Sequence, residues 1–105
     1  MSTDSIRNPY LPTPMHVLHA YYESTDRTLK TLELSFDNPQ DSAAFFRKFN
    51  PGQFCQLSVF GKGESPIGVA SAAWEGDFVR FTVQKMGAVT KALHKLQPGD
   101  PLGMR

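Results

Sequence analysis

Apolar and polar residues alternate strictly towards the end of the segment Thr28–Phe36, and this pattern constrains the fold more than any other feature of the sequence. Leu32, Leu34 and Phe36 occupy every second position, and the residues between them are polar. A period of two residues is that of a β-strand with one face buried and the other in water. We therefore expect a half-buried strand here and a fold assembled from strands of this kind.

The remaining sequence predicts four more short strands. They cover residues 15–22, 53–60, 67–73 and 79–84. Cys55 falls on the apolar face of one of them and is expected to be a small core residue. Gly61-Lys62-Gly63 predicts a tight connection, because glycine accepts positive φ. Five strands at hairpin-like spacing indicate a small antiparallel barrel or sandwich, and a barrel leaves no edge strand unpaired.

One helix is expected near the C-terminal end. Its apolar positions lie at i, i+3, i+4 and i+7, which places Val89, Ala92, Leu93 and Leu96 on one stripe. Thr90 is a plausible N-cap and Pro98 stops the helix. Residues 41–49 are expected to form no more than a short helical turn.

Composition narrows the class of protein. The 105 residues are enough for one domain, and the net charge of +1 lacks the basic excess expected of nucleic-acid or membrane-surface proteins. The N-terminus has no apolar signal region, so the cytoplasm is the expected compartment. A single cysteine excludes an internal disulfide. The histidines have no metal-ligand spacing and no nucleophile motif is present, so we expect no metal site and no catalytic acid, base or nucleophile.

Two segments carry binding potential. Lys85–Thr90 lies between a strand and the helix, where main-chain N–H groups attract phosphate, although the residues alone favour an ordinary strand–turn–helix connection. The segment 65–68 contains Pro66, which suits a strand start, and Gly68, which permits close approach of something flat. An irregular strand entry is the simpler explanation of that second segment.

The order of the motifs adds a resemblance. Four of them follow one another: Pro51–Phe54, Ser65–Ser71, Phe81–Thr90 and Leu96–Asp100. Together they resemble the FAD-binding domain of the ferredoxin–NADP reductase superfamily. The likeness is to the gamma (diaphorase-type) subunits of nickel–iron hydrogenases and anaerobic sulfite reductases in particular, and more distantly to the B subunit of dihydroorotate dehydrogenase.

The resemblance implies an all-β fold, a six-stranded antiparallel Greek-key barrel with one short α-helix, over residues 15–105. The three prolines within residues 1–14 predict an extended lead-in before it. The resemblance also implies bound FAD. The isoalloxazine or ribityl chain would face Pro66, Ile67 and Gly68, and Ser65 before them is also expected to bind the cofactor. Further flavin contacts would come from Val83, Gln84 and Lys85, and the pyrophosphate would lie against Gly87, Val89 and Thr90.

The sequence departs from the family pattern at one motif. Where the family commonly has Arg-x-Tyr-Ser, this chain has Ser65, Ile67 and Gly68 at the three named positions. The bidentate grip of arginine on phosphate and the hydroxyl near flavin N5 are therefore absent.

The function that the resemblance implies is electron transfer. FAD would accept a hydride from NAD(P)H held by a C-terminal nucleotide-binding domain that this sequence lacks, and an iron–sulfur, hydrogenase or reductase partner subunit would receive the electrons. The excised domain alone is expected to be inactive. The alternative is a barrel without flavin that serves as a docking or structural module. No nucleic-acid or membrane partner is expected.

Overall fold

The computed structural model describes residues 11–50, 52–71 and 78–105. Most of the expected lead-in, residues 1–10, lies outside the described residues. So do Pro51 and residues 72–77, which include the end of the strand expected over 67–73. The first strand begins at Thr13, inside the expected lead-in, because its first residues pair with the C-terminal strand.

The described residues form six strands and two helices. In chain order they are β1 (Thr13–Tyr22), β2 (Leu29–Phe36), α1 (Pro39–Lys48), β3 (Phe54–Val59), β4 (Gly63–Gly68), β5 (Phe78–Gln84), α2 (Ala88–His94) and β6 (Pro101–Met104).

The six strands make one antiparallel sheet in the order β4-β3-β6-β1-β2-β5. β6 returns from the end of the chain to lie between β1 and β3, a Greek-key connection. The expected six-stranded antiparallel, barrel-like fold is confirmed. The sheet is not closed by a ladder, however: within the described residues, its edge strands β4 and β5 are linked by the isolated bridge Val69↔Phe81.

The alternating residues form the core, as the sequence predicts. Leu32 and Leu34 of β2 are completely buried, and Cys55 is buried among apolar neighbours. The fully buried apolar side chains come from every strand except β4 and from α2: Met15, Val17, Leu32, Leu34, Leu57, Val79, Phe81, Val83, Leu93 and Leu102.

The expectation of one helix is corrected to two. α1 begins at Pro39, behind an Asn38 cap whose side chain accepts from the Gln40 N–H at 2.9 Å. Phe45 and Phe46 pack their rings on Phe36, with centroids 5.6 and 6.2 Å apart. None of the residues of α1 is fully buried, so its sequence lacks the long apolar stripe that predicts a helix. Contacts with β2 stabilise α1 instead.

Two other boundaries differ from expectation. β4 spans Gly63–Gly68 rather than 67–73, because the β3–β4 hairpin is tight and pairs Val59 with Gly63. α2 begins after Gly87, so Thr90 is the third residue of the helix and not its N-cap. The helix ends at His94.

Candidate functional site

The two edge strands of the sheet are neighbours at the bridge Val69↔Phe81, and the described residues form no further β-bridge between them. We call the gap between residues 64–68 of β4 and residues 82–87 of β5 and its following turn the seam. At one end of the seam, the Ala70 N–H donates to Arg80 O at 2.8 Å beside the Val69↔Phe81 bridge. If the antiparallel register of this bridge is continued towards the start of β4, Ile67 lies opposite Val83 and Pro66 lies opposite Gln84.

Hydrogen-bond direction shows which main-chain groups face the seam. The Lys85 N–H donates to Thr28 O at 2.8 Å on the β2 side, whereas Arg80 O accepts from β4. The main-chain N–H and C=O groups of successive residues in an antiparallel strand point to alternate sides. Because Lys85 points towards β2, the N–H and C=O of Gln84 point towards β4. On the β3 side of β4, the Val69 N–H donates to Gln53 O at 2.9 Å. Because the main-chain groups of successive residues point to alternate sides, those of Pro66, three residues earlier, point towards β5.

Pro66 limits how far a ladder between β4 and β5 could extend. It has no N–H to donate, and its vacant donor position faces the main chain of Gln84 across the seam. A ladder between β4 and β5 therefore cannot extend past Gly68 in the usual way. The seam is left as a sheet edge with main-chain polar groups of Gln84 available to a ligand.

The other end of the seam is closed by α2. Gly63 has φ +115°, and a Cβ at that position would lie 3.4 Å from Cγ2 of Val89. The backbone conformation therefore favours glycine at this position, and the distance shows that the hairpin lies against the helix. The contact brings the start of β4 against the first turn of α2.

The hydroxyl of Thr90 organises the turn that leads into α2. Its Oγ1 accepts from the N–H groups of Met86 and Gly87, each at 2.8 Å, and donates to Gly87 O at 3.1 Å. The N–H groups of Ala88 and Val89 belong to the first helical turn, which has no intrahelical acceptors. Thr90 thus shapes the turn, and its hydroxyl is fully engaged in doing so.

Positive charge surrounds this turn. Lys85 and Lys91 are exposed, α2 has no acidic residue in its first turn, and within the described ranges neither lysine has an ion-pair partner. The positive end of the helix dipole adds to these two charges. An anionic group would be attracted here.

The structure brings all ten predicted site residues to the seam or to the turn at its end. Ser65, Pro66, Ile67 and Gly68 are on β4, and Val83, Gln84 and Lys85 are at the end of β5. Gly87, Val89 and Thr90 are at the start of α2. Ile67 and Val83 direct their side chains into the core, so they support the seam from beneath. Phe54, an exposed ring that lies against Gly68, is not among the site residues predicted from the sequence.

A cavity lies elsewhere on the molecule. It has a volume of about 630 Å³ and runs between α1 and the sheet, with Phe36, Phe45 and Cys55 in its lining. Burial raises the pKa of the Cys55 thiol there. None of the predicted site residues lines this cavity. The candidate site is the seam, because the predicted site residues on β4, at the end of β5 and at the start of α2 lie together there.

Among the described residues, no helix is long and apolar enough to span a bilayer. The same part of the chain has no cluster of three or more His, Cys, Asp or Glu side chains arranged to hold a metal ion.

The fold is shared with a known flavoenzyme. A crystal structure of a ferredoxin–NADP⁺ reductase from Neisseria gonorrhoeae with bound FAD and NADP superposes with a TM-score of 0.69 and 24% identity. The alignment covers 88% of this chain and 35% of that chain. The two chains therefore share a fold, in agreement with the barrel-like architecture that the resemblance implies.

Sequence relatives make the assignment more specific. The chain is 36% identical over 98 residues to the sulfhydrogenase 1 subunit gamma of Pyrococcus furiosus, and 31% identical to the sulfhydrogenase 2 subunit gamma of the same organism. It is also 39% identical over 57 residues to a probable dihydroorotate dehydrogenase B (NAD(+)), electron transfer subunit, from Methanocaldococcus jannaschii.

The chain is thus a homologue of hydrogenase gamma subunits, and the resemblance in the motifs is confirmed. The matches cover 93% of this chain for the two sulfhydrogenase subunits and 54% for the third relative. The chain spans 32% of the length of each sulfhydrogenase subunit and 20% of the third relative. No protein-family model matches the chain.

Proposed function

We propose that this chain is the FAD-binding domain of an NAD(P)H-dependent electron-transfer oxidoreductase. The observation that carries the proposal is the seam, where β4 meets the end of β5 and the start of α2. Its parts match the parts of FAD: an open edge for a planar ring and a positively charged turn for a diphosphate.

The open edge suits the isoalloxazine. Gly68 has no side chain, and the missing N–H of Pro66 keeps the β4–β5 ladder from closing over the seam. The outward N–H and C=O of Gln84 offer a donor and an acceptor, and the pyrimidine edge of a flavin carries both kinds of group. Ile67 and Val83 lie buried beneath. Ser65 and Lys85 extend the same surface towards the ribityl chain.

The turn before α2 suits the pyrophosphate. The first-turn N–H groups of Ala88 and Val89 are free of helical partners, and Lys85 and Lys91 add charge without an ion-pair partner in the described ranges. Gly87 leaves open space where a side chain would begin. Thr90 holds the turn by binding two of its N–H groups. This arrangement favours FAD over FMN, because only FAD has a diphosphate.

The flavin would supply hydride acceptance and release of electrons, and the domain would bind and orient it. NAD(P)H would be held by a further domain, and an iron–sulfur subunit of a hydrogenase or reductase would exchange electrons with the flavin. The names of the relatives support this assembly, since they are gamma or electron-transfer subunits. The cytoplasm is the compartment we propose.

A barrel without flavin, used only for docking, is the less favoured alternative. It is consistent with the missing Arg-x-Tyr-Ser pattern. Against it stand the name of the electron-transfer subunit among the relatives and the FAD in the structural neighbour of the same fold. It also gives no reason for the seam residues and the basic turn to lie together.

Calorimetric titration of the chain with FAD, FMN and ADP tests the proposal. We expect micromolar binding of FAD and clearly weaker binding of FMN and ADP. The double variant Lys85→Gln/Lys91→Gln should weaken FAD binding by about tenfold, since two partly screened charges near a phosphate each contribute a fraction of a kcal/mol or more. Lys48→Gln on α1 is the matched control and should bind as the unchanged chain does. Absence of FAD binding by the unchanged chain would favour the docking module.

A further inference from the structure

Phe54 exposes an unusually large apolar surface for a residue within a sheet. It is the first residue of β3 and leaves 70% of its surface exposed. It pairs directly with Gly68 on β4. Single exposed apolar residues are common on protein surfaces, so the exposure of Phe54 gains meaning from its position beside the seam.

The ring lies over Gly68. A Cβ at Gly68 would be 3.5 Å from Cε1 of Phe54 and 3.9 Å from both Cδ1 and Cζ. These are ordinary contact distances, so the ring occupies the region next to any side chain at position 68. The surface that β4 presents at Gly68 is therefore formed by the Phe54 ring as well as by the glycine backbone.

Ile67 cannot supply that surface. Ile67 is 9% exposed and belongs to the core. The family pattern has an aromatic residue at this position, whereas this chain has an aliphatic side chain that points inwards. Phe54 comes from the neighbouring strand and leaves an aromatic ring exposed one residue further along β4. An aromatic ring opposite an edge glycine also protects the exposed backbone of the strand.

We propose that Phe54 is a flavin-contacting residue whose ring packs against the isoalloxazine at Gly68. This inference rests on the proposed function and adds to it the residue that provides the apolar contact. The ring is held by pairing of β3 with β4, so it is positioned before any ligand binds. Binding then removes the apolar surface of both rings from water.

Truncation of the ring tests the contact. Phe54→Ala should weaken FAD binding by about three- to tenfold, which is the range expected for loss of one ring–ring contact. Phe60→Ala is the matched control, because Phe60 is also exposed (64%) but lies at the β3–β4 turn. We expect Phe60→Ala to bind FAD as the unchanged chain does. Thermal unfolding of both variants without ligand separates loss of contact from loss of fold.

A spectroscopic readout distinguishes contact from a structural role. Tryptophan quenches flavin fluorescence only at short range, by electron transfer to the excited ring. Phe54→Trp should therefore quench the emission of the bound flavin strongly, and Phe60→Trp should leave it near that of the unchanged complex. The flavin emission of the variants is compared at saturating protein concentration, so that differences in FAD affinity do not affect the comparison.

The outcomes separate this inference from the proposed function. If the unchanged chain binds FAD but Phe54→Ala binds equally well and Phe54→Trp leaves the emission unaltered, Phe54 does not contact the flavin and the proposed function stands. If both Phe54 and Phe60 variants behave alike, the effect is not local and the inference fails. If the unchanged chain binds no FAD, the proposed function fails and this inference fails with it.

Discussion

The ammonium group of Lys30 lies 2.6 Å from the carbonyl oxygen of His94, although 64 residues separate them in the chain. The same Nζ donates to Leu96 O at 3.3 Å, so one buried lysine on β2 binds the carbonyls at the end of α2. The positive charge also lies at the negative end of the helix dipole. Tyr22 covers the ammonium group, with its ring centroid 5.0 Å away.

His94 attaches the same helix end to β5. Its Nε2 lies 2.7 Å from Val83 O, and because a carbonyl only accepts, the proton must be on Nε2. Nδ1 is buried and has no hydrogen-bond partner within the described residues. Lys30 and His94 together hold α2 against β2 and β5, and thereby set where the first turn of α2 meets the seam.

Replacing the lysine tests this attachment. Lys30→Met keeps a long side chain but leaves His94 O and Leu96 O without their donor, so we expect the free energy of unfolding to fall by about 2 kcal/mol. Denaturant unfolding measures the change. Lys91→Met, on the exposed side of the same helix, should change the free energy by less than about 0.5 kcal/mol. Equal effects of the two substitutions would show that the buried donor has no special role.

Pro66 is expected to keep the seam open. Pro66→Thr restores an N–H opposite Gln84 and replaces proline with a residue that favours strands. The β4–β5 ladder should then lengthen, the amides of residues 66 and 84 should exchange more slowly with solvent, and FAD affinity should fall. Hydrogen exchange and titration measure the two effects. Pro101→Thr, at the start of β6, is the control and should leave FAD affinity unaltered. An extended ladder with full FAD affinity would contradict the role of the seam.

A substitution at Gly87 is expected to change ligand binding without changing the stability of the fold. The Gly87 φ of −155° is accessible to any residue, and no atom lies within 4 Å of where a Cβ would be. Gly87→Ala should therefore unfold at nearly the same denaturant concentration as the unchanged chain. FAD affinity should fall about fivefold or more, because the methyl group occupies space that the pyrophosphate needs. An unaltered affinity for FAD would show that the pyrophosphate does not bind at this turn.

Glu64 gives stability a defined dependence on pH. Hydrogen bonds from Arg105, at 2.7 and 2.9 Å, and from Ser58, at 2.8 Å, lower the pKa of Glu64 from 4.5 to about 2. A carboxyl with a lowered pKa in the folded state stabilises the protein above its unfolded pKa, and this contribution is lost as pH falls through the folded pKa. The stability advantage of the unchanged chain over Glu64→Gln should be complete above about pH 5 and gone near pH 2.

Unfolding midpoints of the two proteins across that pH range check the prediction. The pair is exposed, so the advantage should also shrink at 1 M salt, where charges are screened within about 3 Å. A constant difference between the two proteins at all pH values would show that the carboxylate charge is not responsible.

A second acidic residue shows how charge is accommodated within the sheet. Burial favours the neutral form of Glu33, but hydrogen bonds from Arg80 and His19 outweigh it and hold the pKa of Glu33 below its usual value. Arg80 is also the residue whose main chain makes the β4–β5 bridge contact. The side-chain pair therefore strengthens β5 at the point where the seam begins.

Much of the fold could be predicted from local sequence. The alternation in residues 28–36 gave β2 within one residue, because burial of one strand face requires that period wherever the strand lies. The helix at residues 88–94 followed from its apolar stripe. The turn for which we propose phosphate binding could also be predicted, since its glycine, its helix start and the two lysines Lys85 and Lys91 are close together in the chain.

Other features depend on partners that local sequence does not specify. α1 is stabilised by Phe36 on another element, and β4 was expected four residues late because its register is set by pairing with β3. The proximity of Phe54 to Gly68 likewise follows only from cross-strand pairing.

The sequence by itself determined which residues have strand and helix periodicity, which motifs occur and in what order. Only the tertiary structure decided that β4 and β5 become neighbouring edges, that Pro66 faces Gln84 across the seam, and that α2 closes its end. The physical reason is that hydrophobic periodicity specifies which side of a strand is buried but not which strand lies beside it. That choice comes from long-range pairing of the whole sheet, and in this protein it assembles the candidate site.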